Sequence, residues 1–266
     1  MRRPIIALLS DFGVKDPYVA EMKGVILNIC PEAEMVDITH EIEKFNVKMG
    51  AFVLASVSRY FPEGTIYVAV VDPGVGTERR AIIVKTAKAL LVGPDNGLLM
   101  LAAQNQRIKN VYEIKNPRYM LPKISRTFHG RDIFAPAAAY LARGIPPENF
   151  GPEITNYIVP TYGNPVIKGK NVKGEILHVD GFGNLITNIS REILERIHLK
   201  EGGFLKMRFE DKVFEFRLCR AYGEVAEGKP LAIIGSHDFL EFSVNLGNAS
   251  KFFGLKIGDK FELEKL

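Results

Sequence analysis

VAVVDPGVGTERR, residues 68–80, runs from an apolar β-branched segment straight into a Gly-Pro loop holding the Asp72 carboxylate and the guanidinium groups of Arg79 and Arg80. Ile66 and Tyr67 extend the segment backwards, and the near-continuous apolar pattern is that of a strand covered on both faces in a parallel sheet. Ligand sites in such sheets lie off the carboxyl ends of strands. Asp72 sits on that end. Pro73, Gly74 and Gly76 let the backbone turn and come close to a ligand, and Arg79 can reach back across the loop. Read as structure alone, the same loop is a turn whose Asp72 bonds local amides and whose arginines are solvated.

The flanking chain alternates strand and helix. Ile5–Leu9 reads as a strand ending in Ser10-Asp11-Phe12-Gly13, and Asp16-Pro17 reads as an N-cap followed by proline in the first helical turn, with Pro31 as the stop. Met35–Ile38 is the next strand, and Asn46 caps a helix through Phe52, Val57 and Tyr60. After the central loop come strands at 81–86 and 89–92, the turn Gly93-Pro94-Asp95-Asn96-Gly97, a strand at 111–114, and a helix opened by Arg126–Asp132 and closed at Gly144. This order predicts an α/β domain with a mainly parallel sheet.

Prolines at 146, 147, 152, 160 and 165 mark a change of character. Beyond them, seven short strand-like runs between 174 and 263, separated by Gly, Asn and Asp, predict a small all-β barrel or sandwich. The expected organisation is an α/β domain over 1–155, a linker over 156–170 and a β-barrel-like domain over 171–266.

Composition narrows the function classes. The chain has 266 residues, 47% hydrophobic and 25% charged, as in an ordinary globular protein. Its net charge of +4 is spread thinly, 19 basic against 16 acidic residues over 1–160 and 16 against 15 over 161–266, which argues against nucleic acid as a partner. Cys30 and Cys219 lack any CxxC or Cys/His pattern, so neither a disulfide framework nor a zinc site is implied, and a reducing cytoplasm fits. Arg2 and Arg3 ahead of Ile5–Leu9 imitate a signal-peptide start. The apolar run breaks at Ser10, too short for an h-region or a membrane span, so no membrane association is expected.

Asp11, Asp72, Asp95 and His129 are the chemical candidates of the first domain, each in a loop beside a strand or at a helix start. DPGVGT lacks the Gly-Lys-Ser/Thr ending of a phosphate loop, SDFG lacks GxGxxG spacing, and neither HExxH nor GxSxG occurs. What remains is a carboxylate, a guanidinium and an imidazole able to orient and deprotonate a small nucleophile without a metal. In the second domain Asp180-Gly181-Phe182-Gly183-Asn184 reads as a Gly-rich hairpin turn. Functionally, Asp180 can accept from an ammonium, Phe182 can stack, and Asn184 can offer donor and acceptor to a base edge.

Taken in order, the motifs at 10–13, 71–77, 93–97, 128–132 and 180–184 resemble those of the S-adenosylmethionine (SAM) hydroxide adenosyltransferase family, hydrolases that form adenosine and methionine and are related to the SAM-dependent fluorinase and chlorinase. The resemblance runs from about Ile5 to Ile257. It implies an N-terminal α/β domain, a C-terminal barrel, and a homotrimer that binds SAM between one subunit's first domain and its neighbour's second. It implies no cofactor, SAM being the substrate, and a water-activating set at Asp72, Arg79 and His129. Asp11 matches the carboxylate that holds the ribose diol, and Phe45 and Phe128 match aromatics beside the ligand. Asp180, Asn184 and Ser236 match contacts to the methionine amine, adenine and carboxylate, with Glu241 and Ala249 completing the set. After Ser236 the match thins: His237 stands where the halogenases carry arginine, and the loop at Asn248-Ala249 is longer.

Attack at C5′ of a sulfonium expels a neutral thioether, so departure needs no general acid. The difficulty is making a nucleophile of water, with a bulk pKa of about 15.7. His129 or Asp72 can take the proton while Arg79 stabilises hydroxide character. Retention of Asp72 and His129 favours hydroxide over halide. A SAM-dependent halogenase, a non-catalytic SAM or adenosine sensor, and a metal hydrolase on Asp11, Asp72, Asp95 and His129 are the competing readings.

Overall fold

In the computed structural model, which describes residues 3–160 and 164–266, the chain divides into two units, Met1–Pro160 and Thr161–Leu266. Arg2 and residues 161–163 of the expected linker lie outside the described residues.

The first unit contains β1 (Ile5–Ser10), α1 (Tyr18–Ile29), β2 (Glu34–Thr39), α2 (Val47–Ser58), β3 (Ile66–Val70), β4 (Ala81–Thr86), β5 (Leu90–Pro94), α3 (Met100–Asn105), β6 (Ile108–Glu113) and α4 (Ala135–Ala142). Its sheet runs β2-β1-β3-β5-β4-β6, with β4 antiparallel to both neighbours and the other pairings parallel. The expected α/β class and mainly parallel sheet are therefore present. β3 explains the apolar run that announced it. Ile66, Val68 and Val70 face a core shared with Met22 and Ile26 of α1 and the alanines of α4, while Tyr67, Ala69 and Val71 face Leu54 of α2 and Met100 of α3. A strand between two helical layers has no solvated face, and each fully buried large aliphatic side chain contributes about 1.5–3 kcal/mol.

One helix start departs from the sequence reading. The first intrahelical bond of α1, Glu21 N to Pro17 O at 2.9 Å, makes Pro17 the N-cap, already helical at φ −75° and with no side-chain cap bond. Proline's locked φ brings the helical turn to Pro17 itself, which leaves Asp16 one residue too early to cap. Asn46 does cap α2, its side chain accepting from Met49 N at 2.9 Å.

The second unit contains β7 (Val166–Lys168), β8 (Asn171–Val179), β9 (Leu185–Ser190), α5 (Arg191–Arg196), β10 (Phe204–Phe209), β11 (Lys212–Cys219), β12 (Pro230–Ile234), β13 (Phe239–Val244), α6 (Ala249–Phe253) and β14 (Lys260–Lys265). The order β14-β10-β11-β12-β13-β9-β8 closes through a β14–β8 pairing into a barrel, with β7 added beside β8. Closure abolishes two sheet edges and encloses a core of Ile176, Phe216, Phe242, Phe253 and their neighbours. The short helices α5 and α6 left no periodic signal because each spans fewer than two turns. Among the described residues no helix is long and apolar enough to cross a membrane.

Candidate active site

β3 ends at Val70, and the backbone then folds through two successive turns, Val75 N to Asp72 O at 3.2 Å and Thr77 N to Gly74 O at 3.2 Å. Gly76 is indispensable to this path: its φ is +75°, and a Cβ there would lie 2.1 Å from the carbonyl oxygen of Arg126. The turns bring Arg79 back over Asp72. Arg79 Nε donates to Asp72 Oδ1 at 3.1 Å and Nη2 to Oδ2 at 2.5 Å, and the two side chains are only 8% and 5% exposed. Nη1 donates to Arg80 O at 3.1 Å, and the guanidinium lies over the Phe134 ring, 5.4 Å from its centroid.

Arg79 Nη2 also approaches His129 Nδ1 at 3.0 Å, so the predicted trio Asp72, Arg79 and His129 forms one contiguous group. His129 begins a π-helical turn, Gly130–Phe134, that feeds α4. Two bonds set this turn. Ser125 N donates to Asp132 Oδ2 at 2.7 Å, and Phe128 N donates to Ser125 Oγ at 3.0 Å. Burial works against charge on Asp132, but hydrogen bonds from Arg131 and Ser125 hold its carboxyl below the ordinary value.

The electrostatics of the trio follow from enclosure. Burial pushes the Asp72 carboxyl upward, opposed by the charge and hydrogen bonds of Arg79. Burial and the Arg79 cation both lower the His129 imidazole from 6.5, so the ring is neutral at neutral pH. Guanidinium only donates, so Nδ1 of that neutral ring accepts and Nε2 carries the hydrogen.

Asp11 follows β1 and is 6% exposed; its Oδ2 accepts from Phe45 N at 2.9 Å, and Lys44 Nζ donates to its carbonyl. Phe45 itself is 70% exposed with φ +65°, an uncommon conformation for an aromatic residue, so the bond to Asp11 holds a strained backbone in place. Phe128 is buried in a cluster with Phe12 and Tyr18, ring centroids 5.6 and 5.1 Å away.

Asp95 is a structural clamp. It accepts from Arg80 Nε and Nη2 at 3.0 and 2.7 Å and from Ile158 N at 2.9 Å, while Arg80 also donates to Asn156. Residues 156–158, placed in the linker from sequence, are thereby tied to the first unit.

In the second unit the β8–β9 turn is held by Asp180. Its Oδ1 accepts from Phe182 N at 2.9 Å and Asn184 N at 2.8 Å, and its Oδ2 accepts from Asn184 Nδ2 at 2.9 Å. One amide hydrogen of Asn184 is thus engaged, and Phe182 is left 81% exposed. Ser236 lies exposed in the turn between β12 and β13. Glu241 is buried beneath that turn: a Cβ on Gly235 would lie 1.6 Å from its Oε1, so a side chain there would displace the carboxyl from its present position. Burial pushes Glu241 up to about 7, with the Tyr222 hydroxyl, 3.3 Å from Oε2, opposing and Asp180 adding to the rise. His178 lies in the same field, lowered by burial, raised by Asp180 and lowered by His237. Ala249 is wholly buried at the start of α6. Tyr222 and His178 escaped sequence reading because neither stands in a Gly-rich turn. Among the described residues no group of three or more His, Cys, Asp or Glu is arranged to hold a metal ion.

Comparison with known proteins bears on this geometry. Residues 6–151 match the SAM hydroxide adenosyltransferase N-terminal domain and residues 174–262 the corresponding C-terminal domain. The (R)-S-adenosyl-L-methionine hydrolase of Thermus thermophilus is 40% identical over 265 residues, covering 96% of this chain and 97% of that protein. A fluorinase of Nocardia brasiliensis is 28% identical, covering 97% and 95%. The crystal structure of a conserved protein from Thermotoga maritima superposes with a TM-score of 0.91 at 41% identity, covering 97% and 99%. With both domains matched in order and identity of this level across nearly the whole length, the chain belongs to the SAM hydroxide adenosyltransferase family.

Proposed function

We propose that the protein hydrolyses SAM to adenosine and L-methionine, by in-line attack of water on C5′. The observation that carries this reading is the enclosed Asp72–Arg79–His129 group, a base and a neutral imidazole both bonded to one fixed cation. The hydrolase relatives share the whole chain at higher identity than the fluorinase does, which supports water over halide as the nucleophile.

The geometry also favours one division of labour. The acceptor lone pair of His129 Nδ1 faces Arg79, whereas the Asp72 carboxylate, with two bonds from Arg79 and one from the Gly74 backbone, still retains acceptor capacity. Asp72 then takes the proton, the His129 ring borders the water, and Arg79 offsets the developing negative charge on oxygen. The sulfonium loses its charge as methionine departs, so no cofactor or metal is required; SAM is the only small-molecule partner. Alignment of water, C5′ and sulfur supplies several kcal/mol of the barrier reduction, roughly.

Asp11 holds the ribose diol, Phe45 and Phe128 flank the nucleoside, and Asp180, Asn184, Ser236 and Glu241 serve the amine, adenine and carboxylate. In this reading the protein works in the cytoplasm as a homotrimer whose sites combine the first unit of one subunit with the second of its neighbour.

Incubation with SAM in heavy-oxygen water tests the reaction. Mass spectrometry should find adenosine carrying the label at its 5′ oxygen together with unlabelled methionine. Methylthioadenosine, S-adenosylhomocysteine, or binding without turnover would refute the proposal, and faster formation of a 5′-halo-adenosine from halide would replace it.

A further inference from the structure

Ser10, the residue before Asp11, is 1% exposed at the end of β1. Its Oγ lies 2.7 Å from His40 Nδ1, His40 Nε2 lies 3.1 Å from Asp37 Oδ1, and Lys23 Nζ donates to Asp37 Oδ2 at 2.6 Å. Burial works against charge on Asp37, yet the hydrogen bonds from Lys23 and His40 hold its carboxyl below the ordinary value, so it is an acceptor. A neutral imidazole satisfies the series with His40 Nε2–H donating to Asp37, Nδ1 accepting, and the Ser10 hydroxyl donating to Nδ1. The remaining lone pairs of Ser10 Oγ receive Phe12 N at 3.3 Å.

Serine, histidine and aspartate in series are the parts of a nucleophilic triad. Here the serine is enclosed and its hydroxyl is engaged on both sides, so attack on an external substrate is excluded. The chain encloses Asp11 instead. The Ser10 Oγ to Phe12 N bond bridges across Asp11, and Gly13 N donates to His40 O at 2.7 Å. His40 thus holds both flanks of Asp11, one through its imidazole and one through its carbonyl. On the side-chain end, Phe45 N fixes Oδ2, while Oδ1 carries no hydrogen bond among the described residues.

We propose that the Ser10–His40–Asp37 chain is a positioning device that holds the Asp11 carboxylate in the orientation that receives a vicinal diol, and so sets selectivity for ribose over its deoxygenated forms. The proposal rests on the ribose reading of Asp11, and its test separates the two. Calorimetric titration of the full chain compares adenosine with the dideoxy analogue that lacks both ribose hydroxyls. The wild type should prefer adenosine and Asp11→Asn should lose that preference; a preference kept by Asp11→Asn overturns the diol reading and the positioning proposal with it. Where Asp11→Asn loses it, Ser10→Ala and His40→Phe should each cut the preference by about tenfold while affinity for the dideoxy analogue stays within about twofold. His40→Asn, which retains an acceptor near Nδ1, should recover part of it. A full preference in the Ser10 and His40 variants, or equal losses for both ligands, overturns the proposal. Ser10→Ala removes a single oxygen and carries the test alone if His40→Phe does not fold.

Discussion

Arg79 grips Asp72 edge to edge, Nε on Oδ1 and Nη2 on Oδ2, and with the same Nη2 reaches His129. A lysine has one compact charge and cannot reproduce that fork. Arg79→Lys should therefore reduce kcat by about 10²–10³-fold. Unfolding stability should fall as well, because a buried carboxylate loses part of its pairing. Steady-state kinetics and thermal unfolding check both; near-normal turnover in this variant contradicts the placement of the cation.

Asp72→Ala and His129→Ala should lower turnover by about 10²–10⁴-fold while keeping affinity for adenosine. Asp11→Ala should mainly weaken binding. The contrast arises because the first two groups are assigned to water and the third to bound ribose. Kinetics paired with calorimetry distinguishes the classes, and equal binding losses in all three variants would contradict the roles.

Turnover should have an acidic limb. His129 is held below 6.5, so its ring stays neutral at neutral pH and gains a proton only on acidification, when Nδ1 becomes a donor facing Arg79. Asp72 is raised above 3.8, and its protonation also removes the base on the acidic side. A profile of kcat rising from acid to a plateau near pH 7 is expected. An acidic limb whose midpoint lies above 6.5, or no acidic limb down to 3.8, contradicts it.

Glu241 links the barrel to pH. Its native pKa of about 7 lies above the ordinary 4.5, so the native state keeps a proton that the unfolded chain releases. The contribution to stability is complete below 4.5 and is lost as pH rises through about 7, at most about 3 kcal/mol. Denaturant unfolding across this window should show Glu241→Gln losing less stability than the wild type. Parallel pH profiles for the two proteins would rule out burial of the carboxyl as the cause.

Mixing inactive Asp72→Ala with inactive Asn184→Ala under conditions that exchange subunits should restore part of the activity, since one mixed interface pairs an intact first unit with an intact second. No rescue despite demonstrated exchange, or a fully active monomer, rejects the shared site.

Much of this was legible because the signals are local. Ile66–Val71 is apolar without alternation since helices cover both faces, and Asp72 announces itself as the first carboxylate beyond that strand. Asn46 reads as a cap for the same local reason. Asp95 looks equivalent to Asp72 in sequence, yet its partners Arg80 and Ile158 come from distant segments, and only the fold reveals a clamp. The Ser10–His40–Asp37 chain spans two strand ends and obeys no spacing rule, so it too appears only when β1 and β2 pair.

The π-helical turn at Gly130–Phe134 gives the site a further dependence, on count and not on chemistry. Such a turn stores one residue more than an α turn, and each helical residue advances the direction of its neighbours by about 100°. A deletion within it, even one sparing every polar group named above, should let α4 continue as regular helix and turn His129 away from Arg79. Length is therefore part of what this segment encodes, and a single-residue deletion there should separate His129 from Arg79 as surely as removal of the imidazole would.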